Sequence, residues 1–245
     1  MKHFLTYVKH SYEVILETES RTKINLDQEN KRIYGDKHHF FIGTLLNHRD
    51  DIASLNKLRN YLKKNPNFNQ LKWPRFYTSY IYLGYIDSDV AKEMMTKIFH
   101  PLCLAVTEKY NKLNCNYKEL KYRSKPPRDR GQKIISIEYE DKGDILNKKI
   151  IPYLHNEGLK KIYDVERKVK EKPHIDLLYL KCNDDVYRQS SSMVSSVKLP
   201  KDFDIDHLCL IKGTPIEKRF GTQSKYDRLN IECMNEYYYP FRGTS

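Results

Sequence analysis

Three observations predict an α+β fold with two lobes, mostly antiparallel sheets, outer helices and a central cleft. The apolar periodicity switches repeatedly between two and about 3.6, giving the order strand, helix, strand, helix, strand, strand, helix, strand, strand, strand. Read in halves, that order nearly repeats. Each half also carries an apolar strand with two polar side chains two residues apart, Tyr77 and Ser79 in FYTSYIYLG and His174 and Asp176 in KPHIDLLYLK. At that spacing both members of a pair project from one face of a strand. A pseudo-twofold relating the halves would turn all four into one cleft.

The elements are justified in order. Residues 1–36 mix strand-like and polar stretches and end in the turn RIYGDK, so they are treated as an extension. HFFIGTLL, residues 39–46, reads as a buried strand. Asp50 and Asp51 are placed to cap a helix whose Ile52, Leu55, Leu58 and Leu62 share a face and which ends at KNPN. FYTSYIYLG is a second buried strand, rich in the aromatic residues strands favour. IDSD then caps a helix with Val90, Met94, Ile98, Leu102 and Val106 on one face, bent at Pro101.

Two strands, YKELKYR and QKIISIEYE, flank the basic turn SKPPRDRG. A third helix over 145–154 is expected to stop near Gly158 in a left-handed cap. The His174 strand, a Ser-rich loop (QSSSMVSS) and two strands near DIDHLCLIKG and KYDRLNIEC complete the chain. The main domain is expected over 37–235, with 236–245 as a tail.

Composition limits what such a fold can do. The 245 residues are 39% hydrophobic, enough for a substantial core. Basic residues outnumber acidic ones 44 to 32, a net +12 that favours anionic partners such as RNA or nucleotides. No apolar run approaches the roughly 20 residues of a membrane span, so a soluble, intracellular protein is expected. The five cysteines stand singly with no C-x-x-C, which argues for a reducing compartment and against a disulfide framework or zinc knuckle. None reads as a strong nucleophile. No P-loop, G-x-S-x-G elbow or metal-ligand spacing occurs.

FYTSYIYLG followed by a capped helix, and P-H-x-x-L around His174, resemble the two motif strands of the two-histidine phosphoesterases, the LigT-like and cyclic-phosphodiesterase proteins. The resemblance spans about residues 39–233 and includes the opening strand FFIGTLL and the closing pair DIDHLCLIKG and KYDRLNI. It implies catalysis without metal or cofactor on a phosphodiester, with one histidine as general base, the other as general acid, and two hydroxyl residues on phosphate oxygens. His174 matches, and Ser79 matches a hydroxyl position. Tyr77 stands where the first histidine belongs and Asp176 where the second hydroxyl belongs.

Those departures have costs. A phenol with an ordinary pKa near 10 is a poor base at neutral pH, and each lost acid or base removes about 10² to 10⁴ in rate. An ionised Asp176 about 4 Å from a phosphate oxygen would repel it by roughly 4 kcal/mol at an effective dielectric of 20. Asp176 can instead orient His174 and favour its protonated form. Arg123, Lys125, Arg128 and Arg130 in the basic turn are candidate phosphate contacts, with a solvated turn as the plainer alternative. Two readings stay open: a divergent phosphodiesterase acting on RNA ends, cyclic phosphates or small oligonucleotides, and a catalytically degenerate protein that binds RNA or joins a protein complex.

Overall fold

The computed structural model describes residues 37–66, 68–70, 75–124, 133–163, 172–180, 190, 192–215 and 229–243. The extension expected over residues 1–36 lies outside them. Strand β1 (Lys37–Leu45) leads into α1 (Arg49–Leu62), then the short β2 (Phe68–Gln70) and the long β3 (Tyr77–Asp87). Helices α2 (Ser88–Met94) and α3 (His100–Lys109) are joined by a π-helical turn, Met95–Phe99. The meander β4 (Leu113–Ser124) and β5 (Lys133–Asp141) precedes a second helical run that holds α4 (Ile151–Leu154) and α5 (Lys160–Tyr163). Strands β6 (His174–Leu180), β7 (Phe203–Ile205), β8 (His207–Pro215) and β9 (Leu229–Pro240) follow.

These strands make two sheets, one in the order β3-β1-β8-β9 and the other β2-β6-β5-β4-β7. Every neighbouring pair is antiparallel. Helices supply Leu55, Leu62, Met94, Phe99, Val106, Ile150 and Leu154 to one continuous core with Phe40 and Ile42 of β1 and Ile135 and Ile137 of β5. The alternate residues of the same strands face the other way. There Phe41, Leu45, Tyr77, Cys209, Ile211, Ile231 and Cys233 of the first sheet meet Ile134 of the second in a small separate cluster. The two sheets therefore approach each other through that cluster, the bilobal α+β arrangement the sequence predicts.

Several local expectations are corrected. His48, not Asp50 or Asp51, is the N-cap of α1, and the two aspartates lie in its first turn, where they complement the helix dipole. Asp87 is the N-cap of α2 but its side chain makes no capping hydrogen bond. The irregularity expected at Pro101 begins earlier, in the π-helical turn, leaving Pro101 in the first turn of α3. The second helical run is capped by Asp141, whose carboxylate accepts from the Ile145 and Leu146 amides at 2.6 and 2.9 Å.

That run passes through Gly158 to Tyr163 instead of stopping. Among the described residues the glycines with positive φ are Gly84 and Gly143, so Gly158 is no left-handed cap. Its role is close packing: a Cβ there would come 2.3 Å from the Phe99 ring. Within the Ser-rich segment, residues 192–195 are helical because Val194 is buried and Met193 packs on the core. At the C-terminus β9 continues past residue 235. Beyond it Phe241, Arg242 and Gly243 donate to Asp206, Thr107 and Tyr110 carbonyls at 2.9, 2.7 and 3.1 Å, which ties residues 241–243 to the fold.

Candidate active site

The site is built outward from β6. Pairing with β5 sets His174 opposite Glu138 and Asp176 opposite Ser136, directly after a register shift between Ile135 and Ser136. His174 and Asp176 side chains are each 20% exposed, with Nε2 and Oδ1 3.7 Å apart. His174 Nδ1 lies 2.9 Å from the Lys172 carbonyl oxygen. A carbonyl only accepts, so Nδ1 carries a hydrogen and donates, and Nε2 is the nitrogen turned toward Asp176. Ser136, fully buried, donates its hydroxyl to Asp176 Oδ1 at 2.5 Å. Asp176 is thus held by a neighbouring strand while its charge faces the imidazole.

Glu138 is only 5% exposed. Its carboxylate accepts from Lys121 Nζ and Arg123 Nη2, each at 2.9 Å. Arg123 Nη2 also approaches the Lys172 carbonyl at 3.4 Å, the group that fixes His174. Burial of a carboxylate is costly without such partners, and here two cations supply them. Arg123 is therefore tied into the site. Lys125, Arg128 and Arg130 lie outside the described residues.

Across from β6 runs β3, where Tyr77, Thr78 and Ser79 pair with Leu45, Thr44 and Gly43 of β1. The register skips Tyr80, a β-bulge beside the first motif position. The neighbouring β1 backbone lies so close that a Cβ on Gly43 would sit 2.0 Å from the Thr78 carbonyl oxygen, so only glycine fits. Tyr77 packs against Phe41, ring centroids 5.7 Å apart, within the inter-sheet cluster. Burial raises its phenol well above the ordinary tyrosine value, and the negative charge of Asp176 raises it further.

Strands β3 and β6 lie against each other, which brings Tyr77 and Asp176 into one neighbourhood. Ser79 is exposed two residues further on. On the opposite face of β3, Thr78 accepts a 2.8 Å hydrogen bond from Tyr139 of β5, tying the two sheets together directly behind the site.

The structure thus assembles His174, Asp176, Tyr77 and Arg123, and adds Ser136, Glu138, Lys121 and Tyr139, which the sequence reading did not single out. Ser136 and Glu138 carry the same spacing-two signature as the motif pairs, in IISIEYE. Glutamate and serine on a strand ordinarily mark a solvated face, so the pattern by itself does not announce a site.

Paired antiparallel sheets with the Tyr77 and His174 strands adjacent across their interface make a LigT-like fold. Among solved structures the chain is similar to TT0787 of Thermus thermophilus, with TM-score 0.54 and 12% identity over 84% of this chain and 100% of that one. It is similar also to apo LigT of E. coli, with TM-score 0.50 and 9% identity over 86% of this chain and 99% of that one. No protein-family model matches the chain. No curated protein sequence matches it significantly. Among the described residues no helix is long and apolar enough to cross a membrane.

Proposed function

We propose that this protein is a divergent phosphodiesterase acting on RNA ends, cyclic phosphates or small 2′-5′ or cyclic oligonucleotides, with His174 as its proton-transferring group. The observation that carries this reading is the tethered imidazole: Nδ1 is committed to the Lys172 carbonyl, leaving Nε2 as the one nitrogen able to exchange a proton with a bound substrate. Asp176, 3.7 Å away, is placed to orient the imidazole toward a bound substrate. Tyr77 cannot serve as a base, since burial and Asp176 keep its phenol protonated. It serves as a neutral hydrogen-bond donor to a phosphate oxygen.

Ser79 supplies a hydroxyl to the phosphate, and Arg123 offsets carboxylate charge at the site. Lys125, Arg128 and Arg130 extend cationic contact along the nucleic-acid backbone.

Cleavage measured in EDTA on 2′,3′-cyclic phosphate ends, 2′-5′ and 3′-5′ oligonucleotides and cyclic dinucleotides tests this. His174→Ala is expected to lower the rate by at least about 10² without unfolding the protein. Undiminished cleavage in that variant overturns the assignment. A second reading, an RNA-binding or complex-assembly protein without catalysis, is favoured by the protonated, half-buried Tyr77 at the first histidine position. Salt-sensitive RNA binding with no cleavage of any substrate would establish it.

A further inference from the structure

We infer that Tyr238 is a stacking platform for a second nucleobase, which makes the ligand an oligonucleotide of at least two residues and not a single nucleotide; this rests on the phosphodiesterase function proposed for His174 and narrows it. Among the described residues the exposed large apolar side chains are Tyr61, Leu104, Tyr153 and Tyr238, and Tyr238, 40% exposed, is the one carried by a strand. The strand registers fix where it stands. Tyr238 of β9 is opposite Cys209 of β8, Cys209 is opposite Gly43 of β1, and Gly43 is opposite Ser79 of β3. Directly opposed residues share a face of a sheet. That face turns toward the second sheet, because Cys209 and Ile134 of β5 belong to one cluster with Tyr77. Tyr238 therefore stands on the same side of the first sheet as Tyr77 and Ser79.

The ring is held ready for stacking. His207, buried, covers one of its faces, with ring centroids 4.5 Å apart and planes inclined by 27°. The imidazole is fixed in turn: Asp206 Oδ1 accepts from its Nδ1 at 2.5 Å, and Asp206 Oδ2 lies 3.1 Å from His48 Nε2. The next residue, Tyr239, is buried with its hydroxyl 3.0 Å from His100 Nδ1, and the Phe241 amide donates to the Asp206 carbonyl at 2.9 Å. A base that adds to the open face of Tyr238 extends an existing stack and freezes little further motion. Distance selects which base this is. Three strand spacings put Tyr238 roughly 14 Å from Ser79, the hydroxyl proposed to hold the phosphate. A base on the nucleotide that carries this phosphate begins one ribose away, about 6 Å over a run of five or six bonds, and falls short. The base of the adjoining residue covers the span.

The test is calorimetric titration of the full-length protein and its variants with two probes, the 3′-phosphorylated dinucleotide ApAp and 3′-AMP, both 2′-O-methylated so that no 2′-hydroxyl attacks. The natural protein is expected to bind ApAp about tenfold more tightly than 3′-AMP, the scale of one stacked base. Tyr238→Ala should erase that difference while leaving the affinity for 3′-AMP as it was, which also shows that the variant folds. Tyr238→Trp, which keeps an aromatic face, should preserve the difference. Equal loss of both affinities in Tyr238→Ala marks a purely structural residue and overturns the inference, as does an ApAp affinity that Tyr238→Ala leaves intact. Binding of neither probe to the natural protein removes the proposed phosphodiesterase function itself, and the platform with it.

Discussion

Glu138 shows how much of the site rests on single side chains. Glu138→Ala would leave Arg123, whose side chain is 16% exposed, without its carboxylate, and would leave the more exposed Lys121 paired with Glu119 alone. Because only one of the two cations is well buried, a stability loss of about 2 to 4 kcal/mol is expected, less than for a fully buried triad. Urea unfolding at neutral pH measures it, and Glu138→Gln should lose less. His39 gives a second residue-level outcome. Burial lowers its pKa to about 4, so the native state keeps it neutral where the unfolded chain, titrating near 6.5, is protonated. Stability from this group is complete above the unfolded value and falls as pH drops toward the folded one. Between pH 7 and pH 5 the loss is about 2 kcal/mol, read as a shift in urea midpoint that His39→Phe should reduce. His174 and Asp176 were legible as residues because two polar groups on an apolar strand stand out. Their partners Ser136 and Glu138 were not, since which residue faces which across β5 and β6 depends on a register shift that no local pattern announces.

At the level of elements, every strand and helix expected within the described residues is present, because long periodic segments declare themselves. The connections between them were misread where packing overrides local preference. Gly158 is the clearest case: glycine after an apolar run reads as a helix end, yet here it lets two helical runs touch. Gly158→Ala would drive a methyl into the Phe99 ring. A loss of about 1 to 3 kcal/mol is expected, where the same substitution in an open helix would stabilise. Thermal unfolding distinguishes the two signs, and Phe99→Leu in the same background should recover part of the loss by making room.

Over the whole molecule, the chain of hydroxyls behind the site joins the lobes. Tyr139 donates to Thr78 at 2.8 Å, and Thr44 lies 3.0 Å from Tyr80 while donating to the His207 carbonyl at 2.8 Å, so β5, β3, β1 and β8 are bound through one buried network. Tyr139→Phe keeps the ring packing and deletes the donor, leaving the buried Thr78 oxygen short of a partner at a cost of about 1 to 3 kcal/mol. Hydrogen exchange should show β3 and β5 losing protection together, while β9, remote from the link, keeps its own. The lobed architecture was legible from the doubled order of elements. This network was not, because Thr44, Thr78, Tyr80 and Tyr139 are far apart in sequence and meet only after both sheets have formed.

The 2.5 Å bond from Ser136 to Asp176 also makes two positions genetically inseparable. Threonine at 176 would place its hydroxyl one bond nearer the backbone, out of reach of the wholly buried Ser136. Asp176→Thr is therefore expected to destabilise the protein unless residue 136 becomes alanine at the same time. Such sign-dependent epistasis would hold the carboxylate in place whatever position 176 does in the site.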